Sequence, residues 1–159
     1  GIYHTTRQTG FDDFANIEMA YSPPFSPAID PINAAAYIAD NLCDKRMRQI
    51  SIEDFYSFMD NPSSHPDWQV LDVRHKNEAA PFIERFGAAL WHSLPYEQIR
   101  DRYAELPTDK KFIVFCNAGS RSFEVQIFLD YAGIKNSTVL PGGFNVIRRI
   151  GADWLPESR

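Results

Sequence analysis

A chain of 159 residues with 44% apolar content holds enough material for one domain with a real core and a remainder. Its formal net charge of −5 excludes a broad basic surface, so nucleic acid is not an expected partner. No apolar run reaches the length of a membrane span and the N-terminus lacks a signal-peptide pattern. No membrane partner is expected, and a cytoplasmic location is.

Residues 1–44 differ in character from the rest of the chain. "MAYSPPFSPAIDPINAAAYIADNL" has a proline-rich centre at Pro23, Pro24 and Pro27 that favours extended backbone. Asp30 and Pro31 then supply an N-cap and a first-turn proline for an alanine-rich helix running to about Leu42. Cys43, at the end of that helix, reads as a packing residue. Gly1 stands in place of Met, and the chain is expected to be the C-terminal piece of a longer protein.

From residue 45 onward, helical and extended pieces alternate. Ser51, three residues before Asp54, caps a short helix that carries Phe55 and Phe58. "WQVLDV" is a buried strand, and "NEAAPFIERF" a short helical stretch interrupted by Pro81. "AALWHSL" holds the next strand. "YEQIRDRYAEL" places Ile99, Tyr103 and Leu106 at helical spacing. "KFIVFC" is a strand without polar alternation, as expected where both sheet faces are covered. "SFEVQIFLDYAG" is a helix closed by Gly133, "STVLPGGF" a last strand and turn, and "NVIRRIG" a last helix. This alternation predicts an α/β domain with a mostly parallel sheet of about five strands and helices on both faces.

In such sheets ligands bind beyond the carboxyl ends of the strands, and Cys116 ends the most apolar strand. "CNAGSRS" must turn from strand to helix within a few residues. Ala118 is small, and Gly119 is free to adopt positive φ. Such a curl turns successive amides inward as an anion nest, reinforced by the following helix dipole. Asn117, Ala118, Gly119, Ser120, Arg121 and Ser122 form this nest, with Cys116 on its floor. Both effects favour a negative charge on the sulfur. Arg121 adds positive charge or braces the loop through a carboxylate, and Ser120 and Ser122 donate hydrogen bonds or cap the helix. A cysteine that merely ended a strand would need no small, arginine-closed loop after it. His4, His65, His75 and His92 are scattered without ligand spacing, so no metal site is expected.

Loop length narrows the chemistry. Protein tyrosine phosphatases separate their cysteine and arginine by five residues, a ring wide enough for phosphate. Four residues, Asn117 to Ser120, separate Cys116 from Arg121, a ring suited to one extra sulfur atom on the cysteine. "FCNAGSRS" resembles the active-site loop of rhodanese (sulfurtransferase) domains. "VLDVRHKNE", with Asp72, Arg74 and Glu78, resembles the family's Asp-Val-Arg segment. "ELPTDKKFIVFC" resembles the approach to its catalytic strand, and "VLPGGF" its late glycine turn. Together these pieces cover about residues 50–155, in the family's order. Only Gly87-Ala88 remains of the family's His-Ile-Pro-Gly-Ala segment, and Ile147 replaces its late tryptophan.

The resemblance implies a rhodanese-like fold over residues 45–159. It also implies a sulfurtransferase carrying sulfane sulfur as a Cys116 persulfide, from thiosulfate, polysulfide or a low-molecular-weight persulfide to a thiol acceptor. The uncharged loop interior weakens the case for thiosulfate as natural donor. Asp72 and Glu78 are candidate partners of Arg121, with Arg74 pairing internally as the alternative; all three read more readily as a frame beneath the loop than as reacting groups. Two alternatives stay open: a non-catalytic rhodanese-like binding or regulatory module, against which the retained Cys116, Gly119 and Arg121 argue, and phosphate-ester or arsenate chemistry, against which the short loop argues.

"IEMAYSPPFSPAIDPINAAAYIADN" resembles the end of the dimerisation domain of pyridine nucleotide–disulfide oxidoreductases of the coenzyme A disulfide reductase type. Some of those enzymes carry a C-terminal rhodanese domain. This resemblance covers about residues 5–42, departs at Ile29, and makes Tyr21 the counterpart of a tyrosine that approaches the partner subunit's active site. It implies that residues 1–44 are a remnant of that domain or a linker, with the oxidoreductase domains as further partners. No Gly-x-Gly-x-x-Gly occurs in the chain, so FAD, NAD(P)H and coenzyme A are expected only in a longer parent protein.

Overall fold

The computed structural model describes residues 47–156. The expectations for residues 1–44, among them Tyr21 and Cys43, and the boundary after residue 44 lie outside the described residues. The elements are α1 (Ile52–Asp60), β1 (Trp68–Asp72), α2 (Lys76–Phe86), β2 (Trp91–Ser93), α3 (Ile99–Arg102), β3 (Lys111–Phe115), α4 (Ser120–Tyr131), β4 (Ser137–Val139) and α5 (Gly143–Ile150).

The four strands form one parallel sheet in the order β2-β1-β3-β4. Val70 faces Trp91 on one side and Ile113 on the other, and Val114 faces Val139. A fifth strand shrinks to a single parallel bridge between Gln49 and Val139. The cause is local: the Ser51 hydroxyl accepts from the Asp54 amide at 3.0 Å and starts α1, which ends the extended run. Gln126 of α4, wholly buried, ties this edge together. Its Oε1 accepts from the Arg48 amide at 3.0 Å, and its Nε2 donates to the Arg48 and Ser137 carbonyls at 3.0 Å each.

Alternation along the strands separates two cores. Val70, Ile113 and Phe115 point to one face, where α1, α2 and α5 bring Phe55, Phe58, Phe82 and Ile147. Leu71, Val73, Phe112, Val114 and Cys116 point to the other, under Ile99, Leu106, Val125 and Leu129. Each fully buried large side chain contributes about 1.5–3 kcal/mol relative to exposure.

Two elements differ from the sequence-based expectation. α2 runs unbroken through Pro81, which lies on its exposed side and leaves only the carbonyl of the exposed Asn77 to solvent. The Tyr96–Glu105 stretch is not one amphipathic helix but α3 between two 3₁₀ turns, Tyr96–Gln98 and Tyr103–Glu105. The tighter turns bury Ile99 and set the Tyr103 ring edge-on against Phe128, with centroids 5.4 Å apart.

Candidate active site

Parallel strands bring all their carboxyl ends to one edge, and Cys116 follows β3 directly at that edge. The residue is buried, and its thiol is free. Gly119 adopts φ +97° and caps α4 through its backbone, with no side chain capping the helix. That left-handed turn brings the Gly119 amide to 3.1 Å from Cys116 Sγ.

The loop's carbonyls are drawn away from its amides. Phe144 and Asn145, at the start of α5, donate to the Cys116 and Asn117 carbonyls at 2.9 and 3.0 Å. The amides of Asn117, Ala118, Ser120, Arg121 and Ser122 have no acceptor among the described residues. The result is a concentration of unsatisfied donors at the amino end of α4 beside the sulfur.

This arrangement needs the glycine pair after β4. Gly142 and Gly143 have φ +71° and +51°, and a Cβ on Gly143 would meet the Cys116 carbonyl oxygen at 2.1 Å. The α5 turn therefore grips the cysteine loop backbone to backbone.

The other site candidates fall in distinct places. Ala118 and Ser120 are exposed, and Ser122 is wholly buried with its hydroxyl unpartnered. Neither serine caps α4, because Gly119 takes that position and the two serines lie within the first turn. Asn117 Nδ2 donates to Glu78 Oε1 at 2.9 Å. The other Glu78 oxygen accepts from the His75 amide at 3.2 Å, in a box that starts α2, while His75 Nδ1 accepts from the Asn77 amide. Glu78 thus links the amino end of α2 to the cysteine loop.

Asp72 and Glu78 are not partners of Arg121. Asp72 is wholly buried and takes the Arg74 guanidinium, with Nη2–Oδ2 at 2.7 Å and Nε–Oδ1 at 3.0 Å, together with the Trp91 indole N–H at 2.9 Å. Arg74 lies among the rings of Phe82, Phe115 and Phe144, 4.8–4.9 Å from their centroids. Phe82 and Phe115 belong to the core beneath α1, α2 and α5, whereas Arg121 rises from α4, which covers the opposite face. Arg121 is exposed, and its guanidinium carbon lies 5.7 Å from the centre of the Tyr96 ring.

Tyr96 and Glu124 are the site-edge residues that sequence reasoning missed. The Tyr96 hydroxyl donates to Glu124 Oε2. That bond, with the Glu124 charge behind it, raises the phenol above its ordinary range, while Arg100 and Arg121 act in the opposite sense. The only local signal was a tyrosine placed directly after Pro95 at a strand's end. Among the described residues, no group of three or more His, Cys, Asp and Glu side chains is placed to hold a metal ion, and no helix is long and apolar enough to cross a membrane.

Known proteins share this fold. The family described as Rhodanese-like domain matches residues 51–149. An NAD-dependent persulfide reductase from A. fulgidus is 33% identical, with a TM-score of 0.64, over 84% of this chain and 22% of its own. The reduced CoADR-RHD of Bacillus anthracis is 27% identical, with a TM-score of 0.67, over 86% and 23%. A rhodanese-related protein from Thermoplasma volcanium is 28% identical, with a TM-score of 0.53, over 65% and 93%. This chain therefore corresponds to less than a quarter of each of the first two proteins. No curated protein sequence matches it. The parallel sheet, the cysteine loop at its carboxyl edge and the family match over most of residues 47–156 lead to one conclusion: the chain belongs to the rhodanese-like domain family.

Proposed function

We propose that the domain is a sulfurtransferase with Cys116 as its nucleophile. One observation carries this reading: Cys116 Sγ, 3.1 Å from the Gly119 amide, sits in a loop whose other amides have no acceptor among the described residues and which Arg121 closes after four residues. The Cys116 thiolate attacks the sulfane sulfur of the donor. A new S–S bond forms, and the bond from that sulfur to its carrier breaks. The carrier leaves with the electron pair, as sulfite from thiosulfate or as a thiolate from a persulfide. Cys116 then carries an anionic terminal sulfur, which the loop amides stabilise as preorganised donors. A thiolate acceptor attacks that sulfur and restores Cys116, so two-step kinetics are expected. Arg121 supplies positive charge at the loop.

The same proposal extends to the whole chain. Residues 1–44 are the end of an oxidoreductase dimerisation domain or a linker, and residues 45–159 are the sulfur-carrying part of a longer cytoplasmic reductase. Its other domains would hold FAD, NAD(P)H and coenzyme A. The two long relatives support this, since each aligns with more of the chain than residues 51–149.

Intact-mass analysis after treatment with thiosulfate, and separately with glutathione persulfide, tests the reaction. The protein should gain the mass of one sulfur atom, cyanide should remove it, and Cys116→Ser should gain none. An unmodified wild-type protein with both donors would reject the proposal.

A further inference from the structure

Tyr96 shares the sheet edge of Cys116. Its amide donates to the Val73 carbonyl at 2.9 Å, and the Val73 amide donates to the Phe115 carbonyl at 2.9 Å. The sheet's hydrogen bonding thus continues past the strand ends, from Tyr96 to the residue before the cysteine. The Tyr96 ring reaches across to α4. Its hydroxyl is bonded to Glu124, and the Arg121 guanidinium lies over its face at 5.7 Å. Arg121 and Glu124 are three residues apart on α4, so one ring meets both.

This contact matters because Arg121 has no carboxylate partner among the described residues. A long, exposed arginine without a partner samples many rotamers, and holding one of them costs entropy. The ring removes part of that freedom and leaves the guanidinium N–H groups unspent, because a cation over a ring face uses none of its hydrogen-bond donors. The ring also lines a groove of about 810 Å³ together with Ile99, Tyr103, Val125, Phe128 and Tyr131.

Resting on the sulfur-transfer reading of Cys116, we propose that Tyr96 is a positioning residue that sets donor preference. Anchored on Glu124, it holds the Arg121 guanidinium beside the Cys116 loop, where the arginine takes an anionic group on the carrier of the incoming sulfur. Donors with a charged carrier gain this contact; donors with an uncharged carrier do not.

Steady-state kinetics with three donors test the proposal: thiosulfate and glutathione persulfide, whose carriers are charged, and hydroxyethyl persulfide, whose carrier is not. For Tyr96→Leu, KM for the two charged donors should rise roughly tenfold, the scale of one lost charge-assisted hydrogen bond. Their kcat should stay within about twofold, and hydroxyethyl persulfide should be unaffected. Tyr96→Phe keeps the ring and loses the anchor, and should fall between wild type and Tyr96→Leu. If Tyr96→Leu does not fold, Glu124→Ala, at an exposed position, should raise KM for the charged donors alone. Equal effects on all three donors, or none, would overturn the positioning role. Failure of wild-type Cys116 to take sulfur from any donor would instead defeat the underlying reaction.

Discussion

Gly143 lies against the Cys116 carbonyl so closely that a Cβ on it would stand 2.1 Å from that oxygen. The contact is backbone to backbone, so neither side can swing away. It holds the floor of the cysteine loop on the first turn of α5, where the Phe144 amide donates to the same carbonyl.

Gly143→Ala should therefore act on both stability and chemistry. The new methyl group must push the loop from α5, and φ +51° is strained for alanine. A loss of about 1–3 kcal/mol is expected in urea denaturation. Sulfur loading of Cys116 should slow even in the folded fraction, because the Gly119 amide no longer meets Sγ as closely. Gly151→Ala, with a similar φ of +75° but open space around it, is the control and should leave loading unchanged.

Asp72 should behave as a structural residue. Asp72→Ala leaves the Arg74 guanidinium, only 2% exposed, without its counter-charge and the Trp91 indole without its acceptor. Removing one partner of a buried pair costs about 3–5 kcal/mol. Thermal unfolding should show this loss, while kcat at a temperature where the variant is folded should stay within a few-fold of wild type. A collapse of kcat in a stably folded variant would give Asp72 a chemical role instead.

The Glu78–Asn117 bond should couple the start of α2 to the loop. Glu78→Ala also removes the acceptor for the His75 amide, a single hydrogen bond with a net value of about 0.5–1.5 kcal/mol. A double-mutant cycle with Asn117→Ala isolates the shared part. The coupling in stability should be about 0.5–1.5 kcal/mol, the net value of a single hydrogen bond. Strict additivity would mean that the contact does not hold the loop.

His92 predicts a pH dependence. Burial first, and Arg102 second, hold its imidazole below the ordinary value of 6.5, with Glu105 opposing. The unfolded chain therefore binds the proton more readily than the folded one. The contribution is fully present above pH 6.5 and is lost as pH falls from there through the folded value. Denaturation midpoints for wild type should decline across that acid range, and His92→Gln should flatten this part of the profile.

Much of this protein was legible from residue order. Continuous apolar runs such as "FIVF" mark strands covered on both faces, and the alternation of strands with capped helices leads to a parallel α/β sheet. Position alone put Cys116 at the carboxyl edge, and counting to Arg121 sized its loop. These features are local, and local sterics and hydrogen bonding decide them. The partners of Arg121 were not local. Asp72 looked available until β1 turned its carboxylate to the face opposite α4, where Arg74 and Trp91 use it. The fit of Gly143 against Cys116, and of Arg121 over Tyr96, joins elements far apart in the chain. Such contacts depend on which face of the sheet each helix covers and how closely two backbones approach, and only the packed structure decides that.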